Sequence, residues 1–374
     1  MKITTIVGAR PQFIKAAMIG RAIAQRHGQN GSAAIEERIL HTGQHYDANM
    51  NDVFFSQLGI AQPAWQLQCG QGSHAVMTAQ MLTGIEEILL ANRPDCVLVY
   101  GDTNSTLAGA LAAAKLHIPV VHVEAGLRSF NRQMPEEINR VLTDHMSAVL
   151  FCPTSAAVDN LRREGICEGV FHVGDVMYDA ALTFGRIARQ RATILDSLQL
   201  TPGKFYLCTI HRAENTDDAE RLTSIIRALT AIATADCPVV LPLHPRTRAR
   251  LEQYNLMPPI TSGTSFRLIE PVDYLDMTLL EKEAVTILTD SGGMQKEAYF
   301  HRTPCITLRD ETEWIETVAC GWNQLAGYRT DNILRCLHTP TQKIDIQEYG
   351  KGDAAMKTVD ILLKKWKDEH PDSV

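Results

Sequence analysis

The sequence is poor in the features that define several large protein classes. None of its nine cysteines (69, 96, 152, 167, 208, 237, 305, 320 and 336) stands in a C-x-x-C pair. That excludes a simple zinc or disulfide framework and reads as reduced thiols in a cytoplasmic protein. No apolar run approaches the ~18 residues needed to cross a bilayer, and the opening stretch from Met1 to Gly8 is a strand, too short for a signal peptide. Basic excess is also missing. The 36 Lys and Arg are outnumbered by 43 Asp and Glu, giving a net charge of −7, whereas nucleic acid needs a basic face. No G-x-G-x-x-G follows the first strand, which disfavours a nicotinamide cofactor. A Ser or Cys nucleophile elbow and a metal-ligand cluster are lacking too, so acid–base chemistry is favoured over covalent catalysis and no cofactor is expected. Internal repeats and low-complexity tracts do not occur. What remains is globular composition, 45% hydrophobic and 21% charged over 374 residues, enough for two domains at roughly 150 residues each.

Short apolar runs alternate with helical stretches along almost the whole chain. Ile3–Val7, Glu37–His41, Cys96–Tyr100, Val120–Glu124 and Val149–Cys152 read as strands. Helices are expected over Phe13–Arg26, near Asn49–Leu58, and over His74–Asn92, Thr106–Lys115 and Pro135–Met146. A second series begins after Val173-Gly174-Asp175. Its strands are Phe205–Ile210, Pro238–Leu243, Val285–Thr289 and Cys305–Leu308, with a helix over Asp217–Thr234. Strands apolar on both faces and separated by helices indicate parallel sheets covered on each side. The expectation is an α/β protein of two Rossmann-like, doubly wound domains with a cleft between them. Residues 1–173 form the first, 174–357 the second, and the last helix, Ala354–Lys367, brings 358–374 back to the first. Met177–Leu200 is expected to be a helical link, and Asp368–Val374 a frayed tail.

Ligands of open parallel sheets bind beyond the carboxyl ends of the strands, and the polar motifs cluster there. The most distinctive is Ser291-Gly292-Gly293-Met294-Gln295-Lys296-Glu297, which follows a buried strand and opens a helix. Free N–H groups and the helix dipole favour a phosphate at such a turn, and Glu297, one turn in, could accept from a ribose diol. Gly8-Ala9-Arg10-Pro11, with Lys15 on the next helix, offers a tight turn and a guanidinium suited to phosphate. Tyr100-Gly101-Asp102-Thr103-Asn104-Ser105-Thr106 is more polar than helix capping requires. Glu124 is an acid at the tip of an apolar strand and must be paired or face a cleft; burial would raise its pKa toward proton-transfer use. Pro135-Glu136-Glu137 resembles an ordinary helix start. In the second series, His211-Arg212 and His244-Pro245-Arg246 end successive strands with cations. Arg309-Asp310-Glu311-Thr312-Glu313-Trp314 closes the last one, and His41-Thr42-Gly43-Gln44-His45 is a further polar strand end.

Taken in order and spacing, these motifs resemble the non-hydrolysing UDP-N-acetylglucosamine 2-epimerases over essentially the full length. The family has the glycosyltransferase-B architecture. The resemblance implies reversible inversion at C2 of a UDP-sugar, the C2 proton leaving as UDP departs from C1, with a glycal-type intermediate. It implies that Asp102, Glu124 and Glu136 are the acid–base carboxylates and His211 their partner from the other domain. Arg10, Lys15, Arg212, His244, Ser291, Gly292, Gly293 and Glu297 would contact UDP, and Gln44, His45, Arg132 and Arg309 the sugar or a regulatory site. A homodimer and a role in bacterial surface polysaccharide synthesis come with the family. Two departures stand out: Ala213 where many members carry a second Arg, and Gln12-Phe13 where Glu-Ala is common. The loop Ser129–Met134 is also shorter than in the simple UDP-N-acetylglucosamine enzymes, and the start Gly8–Lys15, the run His41–Asp47 and Tyr100–Thr106 resemble more closely the branch acting on UDP-2,3-diacetamido-2,3-dideoxyglucuronate, where Arg132 is a candidate for the uronate carboxylate. A hydrolysing epimerase, a transferase of the same architecture and a non-catalytic UDP-sugar sensor are the alternatives.

Overall fold

The computed structural model describes residues 1–30, 35–44, 58–69, 72–257 and 265–371. Two compact units emerge, residues 1–180 with 347–374, and residues 181–346. Each is built on one parallel sheet.

In unit 1 the strands are β1 (Lys2–Val7), β2 (Glu36–His41), β3 (Trp65–Gln66), β4 (Cys96–Tyr100), β5 (Val120–Val123), β6 (Val149–Cys152) and β7 (Val170–His172). They lie in the order β3-β2-β1-β4-β5-β6-β7, every pair parallel. Helices α1 (Arg10–Asn30), α2 (His74–Ala91), α3 (Asn104–Lys115), α4 (Pro135–Met146) and α5 (Ser155–Arg163) connect and follow them, and α6 (Val176–Arg191) begins in unit 1 and passes into unit 2 at residue 181. The sheet reads as apolar runs because both faces are covered: Ile6, Leu40, Val97, Val99 and Val120 pack with Met81, Ile85, Leu89, Ala108 and Ala112 of α2 and α3. Alanine along α3 lets it lie close to the sheet. Its start is fixed by a capping box, Thr103 Oγ1 accepting from the Thr106 N–H at 3.3 Å while Thr106 Oγ1 accepts from the Thr103 N–H at 3.2 Å.

Unit 2 contains α7 (Ile194–Ser197), β8 (Tyr206–Thr209), α8 (Ala213–Thr216), α9 (Ala219–Ile232), β9 (Val239–Pro242), α10 (Pro245–Gln253) and β10 (Phe266–Ile269). Further along come α11 (Tyr274–Glu283), β11 (Thr286–Thr289), α12 (Gly292–His301), β12 (Cys305–Thr307), α13 (Ile315–Ala319), β13 (Asn323–Leu325) and α14 (Thr330–His338). The strand order is β10-β9-β8-β11-β12-β13, again all parallel. Leu222, Ile225 and Leu229 of α9 and Ile333 of α14 fill one face against Cys208, Val239, Leu241, Leu288 and Ile306. The final helix α15 (Ala354–Glu369) belongs to unit 1, where Arg26 Nη2 of α1 pairs with Asp360 Oδ2 at 2.5 Å.

The fold class is the α/β one expected, with local differences. β5 stops at Val123, because Glu124 adopts a left-handed φ of 74° that no extended strand accommodates. The expected helical link breaks between α6 and α7. The expected frayed tail is helical as far as Glu369, and His370 stacks on Trp366 with ring centroids 3.7 Å apart. The helix expected near Asn49–Leu58 falls almost wholly outside the described residues. All nine cysteines are free. Among the described residues no helix is long and apolar enough to cross a membrane, and no group of three or more His, Cys, Asp or Glu is arranged to hold a metal ion.

Candidate active site

Each sheet reverses its winding once, between β1 and β4 in unit 1 and between β8 and β11 in unit 2. Crevices at such reversals are where open α/β sheets bind ligands.

The β1 and β4 ends of unit 1 are tied by one buried amide. Gln12 Oε1 accepts from the N–H groups of Gly8 (2.8 Å) and Ala9 (3.0 Å), while its Nε2 donates to the Tyr100 carbonyl and to Thr106 Oγ1, both at 2.9 Å. A glutamate could accept but not donate, so the amide is what closes this link. Gly8 admits no side chain: a Cβ there would lie 2.2 Å from both Ser105 Oγ and Thr42 Oγ1. Gln44 Oε1 accepts from the Ser105 N–H (3.0 Å) and hydroxyl (2.6 Å), whereas His45 lies outside the described residues. Arg10 is the first residue of α1 and is exposed.

The expected acids divide into two kinds. Asp102 is about a quarter exposed and pairs with Arg140; its carbonyl accepts from Asn139 Nδ2 at 2.9 Å. Glu124 takes Lys15 Nζ at 2.7 Å, so the buried Lys15, expected at UDP, is turned to the acid instead. Glu136 is exposed, and so is Arg132. Its neighbour Glu137 is the buried member: its carboxylate accepts from the Ser129 N–H (2.9 Å), the Ser129 hydroxyl (3.0 Å) and the Phe130 N–H (2.9 Å), and pairs with Arg140 at 2.8 Å. Burial alone would raise its pKa, but the Ser129 N–H, the Arg140 guanidinium and the Phe130 N–H together hold it below the usual range. Glu137 therefore shapes the loop before α4.

Beneath Asp102 and Glu124 runs a buried charge network. His122 Nε2 donates to the Gly101 carbonyl at 2.8 Å, and its Nδ1 lies 2.7 Å from Asp144 Oδ1. Asp144 Oδ2 accepts from the Gly126 N–H (3.0 Å) and Arg128 Nη1 (2.7 Å), and Arg128 forms two 2.7 Å bonds with Glu164. Burial works against the Asp144 charge, but His122 and Arg128 outweigh it and keep the pKa low. Gly101 and Gly126, one residue before Asp102 and two after Glu124, are thus held by the same carboxylate and its imidazole.

In unit 2 a single acid organises the β8 and β11 ends. Asp290 is fully buried and accepts from the N–H of His211 (3.1 Å), the N–H of Arg212 (3.0 Å) and Asn215 Nδ2 (3.2 Å); His211 Nδ1 lies 3.2 Å away. Burial would raise its pKa, yet the His211 ring and the two N–H donors hold it down. His211 and Arg212 are left partly exposed, 44% and 35% by side chain. His244 caps α10, Nδ1 accepting from the Arg246 N–H at 3.2 Å; burial and the nearby His211 and Arg246 lower its pKa.

Ser291 caps α12, its hydroxyl facing the Met294 N–H at 3.5 Å. A Cβ on Gly293 would meet nothing within 4 Å, so the first turn is open to a ligand that approaches the backbone closely. Glu297 is half-buried one turn on. Burial and the Glu297 charge push the fully buried Glu281 carboxyl well up, while burial brings His301 down to about 3. Both shifts disfavour an ion pair across their 3.7 Å contact. Arg309, expected at the sugar, is 4% exposed and bonded to Glu313 at 3.1 Å and 3.3 Å, bracing its own loop.

The family model described as UDP-N-acetylglucosamine 2-epimerase matches residues 29–363. The UDP-2,3-diacetamido-2,3-dideoxy-D-glucuronate 2-epimerase of Pseudomonas aeruginosa is 51% identical over 370 residues, 97% of this chain and 100% of that one. The UDP-N-acetylglucosamine 2-epimerase of Methanocaldococcus jannaschii is 44% identical over 368 residues, 97% of this chain and 99% of that one. A crystal structure of the M. jannaschii enzyme in complex with UDP-GlcNAc and UDP superposes with a TM-score of 0.85 at 43% identity, covering 97% of this chain and 100% of that one. With relatives this similar along nearly its entire length, the chain belongs to the UDP-N-acetylglucosamine 2-epimerase family.

Proposed function

We propose that this protein inverts C2 of a UDP-N-acetylglucosamine-type sugar reversibly, by elimination and re-addition of UDP. The observation that carries the reading is the placement of Asp102 and Glu124 at the strand ends of unit 1, each fixed by a cation from another element. A C2 hydrogen is weakly acidic, so its removal demands a base in fixed orientation and a stabilised leaving group. Arg140 and Lys15 hold the two carboxylates still. Arg212, the open first turn of α12 and His211 are suited to the diphosphate as it leaves and returns, with Glu297 on the ribose. Asp102 and Glu124 then exchange the C2 proton on opposite faces of the glycal-type intermediate, with Glu136 and His211 completing the acid–base set.

Relatives of nearly equal identity, 51% and 52%, are described as the diacetamido glucuronate epimerase and as a UDP-N-acetylglucosamine 2-epimerase homolog, so both sugars are candidate substrates, and the uronate is the one taken forward. Exposed Arg132 is then the contact for its C6 carboxylate. The test is proton NMR of the protein with either UDP-sugar in deuterated water. Deuterium appearing at C2 together with the manno epimer supports the reading and identifies the sugar. Release of UDP with free sugar would make it a hydrolysing enzyme instead, and retention of the C2 proton in both sugars would overturn it. The family also brings a homodimer, which sedimentation equilibrium tests.

A further inference from the structure

Trp314 is nine-tenths buried, 8% exposed, at the end of the loop after β12. Its backbone is pinned on both sides. The N–H donates to Thr312 Oγ1 at 3.0 Å, and the carbonyl accepts from the Thr317 N–H (3.0 Å) and hydroxyl (2.7 Å). Thr312 is itself held by donating to Gln295 Oε1 at 2.6 Å, and the ring packs over Lys296 Nζ, 4.2 Å from the centroid. Gln295 and Lys296 belong to α12, so the loop is fastened to the helix whose N-terminus is in question.

The rigid indole nevertheless leaves its one polar atom without an acceptor: Nε1 makes no hydrogen bond among the described residues. It points to the start of α12. A Cβ built on Gly292 would lie 3.8 Å from Trp314 Nε1, 3.7 Å from Arg212 Nη2 and 3.5 Å from Glu313 Oε2. Glu313 is engaged by Arg309 and stays 4.0 Å from Arg212, which keeps the Arg212 charge available. Lys296 against the ring draws electron density from the π system and makes the N–H a stronger donor.

We infer that Trp314 is a diphosphate-binding residue, its indole N–H donating to a phosphate oxygen of a nucleoside diphosphate held over Gly292 with Arg212 and the first N–H groups of α12. The inference rests on the nucleotide reading above and adds a residue to it. An indole fixed by three backbone hydrogen bonds and a cation contact loses little freedom when the ligand arrives, so its donor is already in place.

The test labels the four tryptophans with ¹⁵N and follows their indole N–H signals during titration with UDP and, separately, with uridine. Trp314→Phe assigns the Trp314 signal. That signal should move downfield with UDP and stay in place with uridine. Trp314→Phe should weaken UDP about tenfold or more, as expected for a lost hydrogen bond to an anion, and change uridine affinity less than twofold. Trp314→His, which restores a ring N–H, should recover part of the loss. Equal loss of UDP and uridine would make Trp314 a packing residue, and wild-type protein saturated with UDP in which none of the four indole signals moves would overturn the inference even if the variants fail to fold. Wild-type protein that does not bind UDP would remove the nucleotide reading itself.

Discussion

Around the strand ends of unit 1 three acids each have a cation brought from a different element: Lys15 for Glu124, Arg140 for Asp102, Arg128 for Asp144. Unit 2 inverts the arrangement. There the acid, Asp290, lies at the bottom and accepts backbone N–H groups, while His211 and Arg212 above it are left partly open. The difference fits the two chemical tasks proposed above. A carboxylate that handles a proton must be held in one orientation, and a neighbouring guanidinium or ammonium does so while leaving the second oxygen available. A diphosphate instead needs unsatisfied donors, so that site spends its internal acid on positioning the cations rather than neutralising them.

The sharpest way to break that division is Asp102→Asn. It should lower kcat by about a thousandfold or more, within the range set by losing a general acid or base. UDP affinity should change less than twofold by calorimetry. If turnover survives, Asp102 leaves the mechanism; if UDP binding falls in step, unit 1 also holds the nucleotide and the contrast between the units is wrong.

An exception inside unit 1 gives the next largest effect. Asp179 has no cation among the described residues. It accepts from the N–H groups of Ala354 (3.2 Å) and Ala355 (2.7 Å) at the start of α15, and burial, with Asp175 and Asp353 nearby, takes its pKa to about 6. A carboxyl raised in the native state is bound to its proton more tightly when folded. Its stabilising contribution is therefore complete below about pH 4 and is lost as pH rises through about 6, amounting to about 3 kcal/mol across that window. Asp144 and Glu137 have lowered values and behave oppositely, stabilising at neutral pH and losing that contribution as acid is added. Urea unfolding at pH 4.5 and 7 should therefore show a smaller stability gain with pH in the wild type than in Asp179→Asn. Parallel pH profiles for the two proteins would mean that Asp179 is not protonated in the native state.

Much of this was legible in the sequence because buried parallel strands are unbroken apolar runs, so the polar residue just after each run marks a strand's carboxyl end. Asp102, His211 and Ser291 are found that way. What supports them is not, since partners such as Lys15 and Glu124 lie far apart in the chain and meet only through the sheet order. Helix α4 shows the limit most clearly. Its exposed Ile138 and Leu142 lie i,i+4 and would ordinarily mark the inner face, but Glu137, Arg140 and Asp144 are buried in their place. Hydrophobic periodicity assumes that the core wants apolar groups; here the inner face must supply partners for Asp102, His122 and Arg128 instead. The clue available was the i,i+3,i+7 spacing of Glu137, Arg140 and Asp144, a charged stripe as regular as an apolar one.

Arg212→Ala tests the open side of the comparison. Losing one guanidinium from a diphosphate site should weaken UDP about 10- to 100-fold. The thermal midpoint should hardly move, because Arg212 reaches no closer than 4.0 Å to its acidic neighbour. A large drop in stability would show that Arg212 is a structural partner of Glu313, as Arg309 is.

The smallest effects separate the units by their helix caps. Thr103 and Ser291 both cap helices that open directly after switch-point strands, yet only Thr103 belongs to a reciprocal capping box. Each Ala substitution should cost about 1 kcal/mol in urea unfolding, Thr103→Ala the more because its hydroxyl meets both the Thr106 N–H and Thr106 Oγ1, whereas Ser291 Oγ faces a single N–H at 3.5 Å. The kinetic consequences should part company. Thr103→Ala loosens the residue next to Asp102 and should lower kcat at unchanged UDP affinity, whereas Ser291→Ala loosens the first turn of α12 and should raise the Kd for UDP. Were Ser291→Ala to depress kcat alone, the first turn of α12 would be acting on the sugar rather than on the diphosphate, and the assignment of one chemical task to each unit would have to be redrawn.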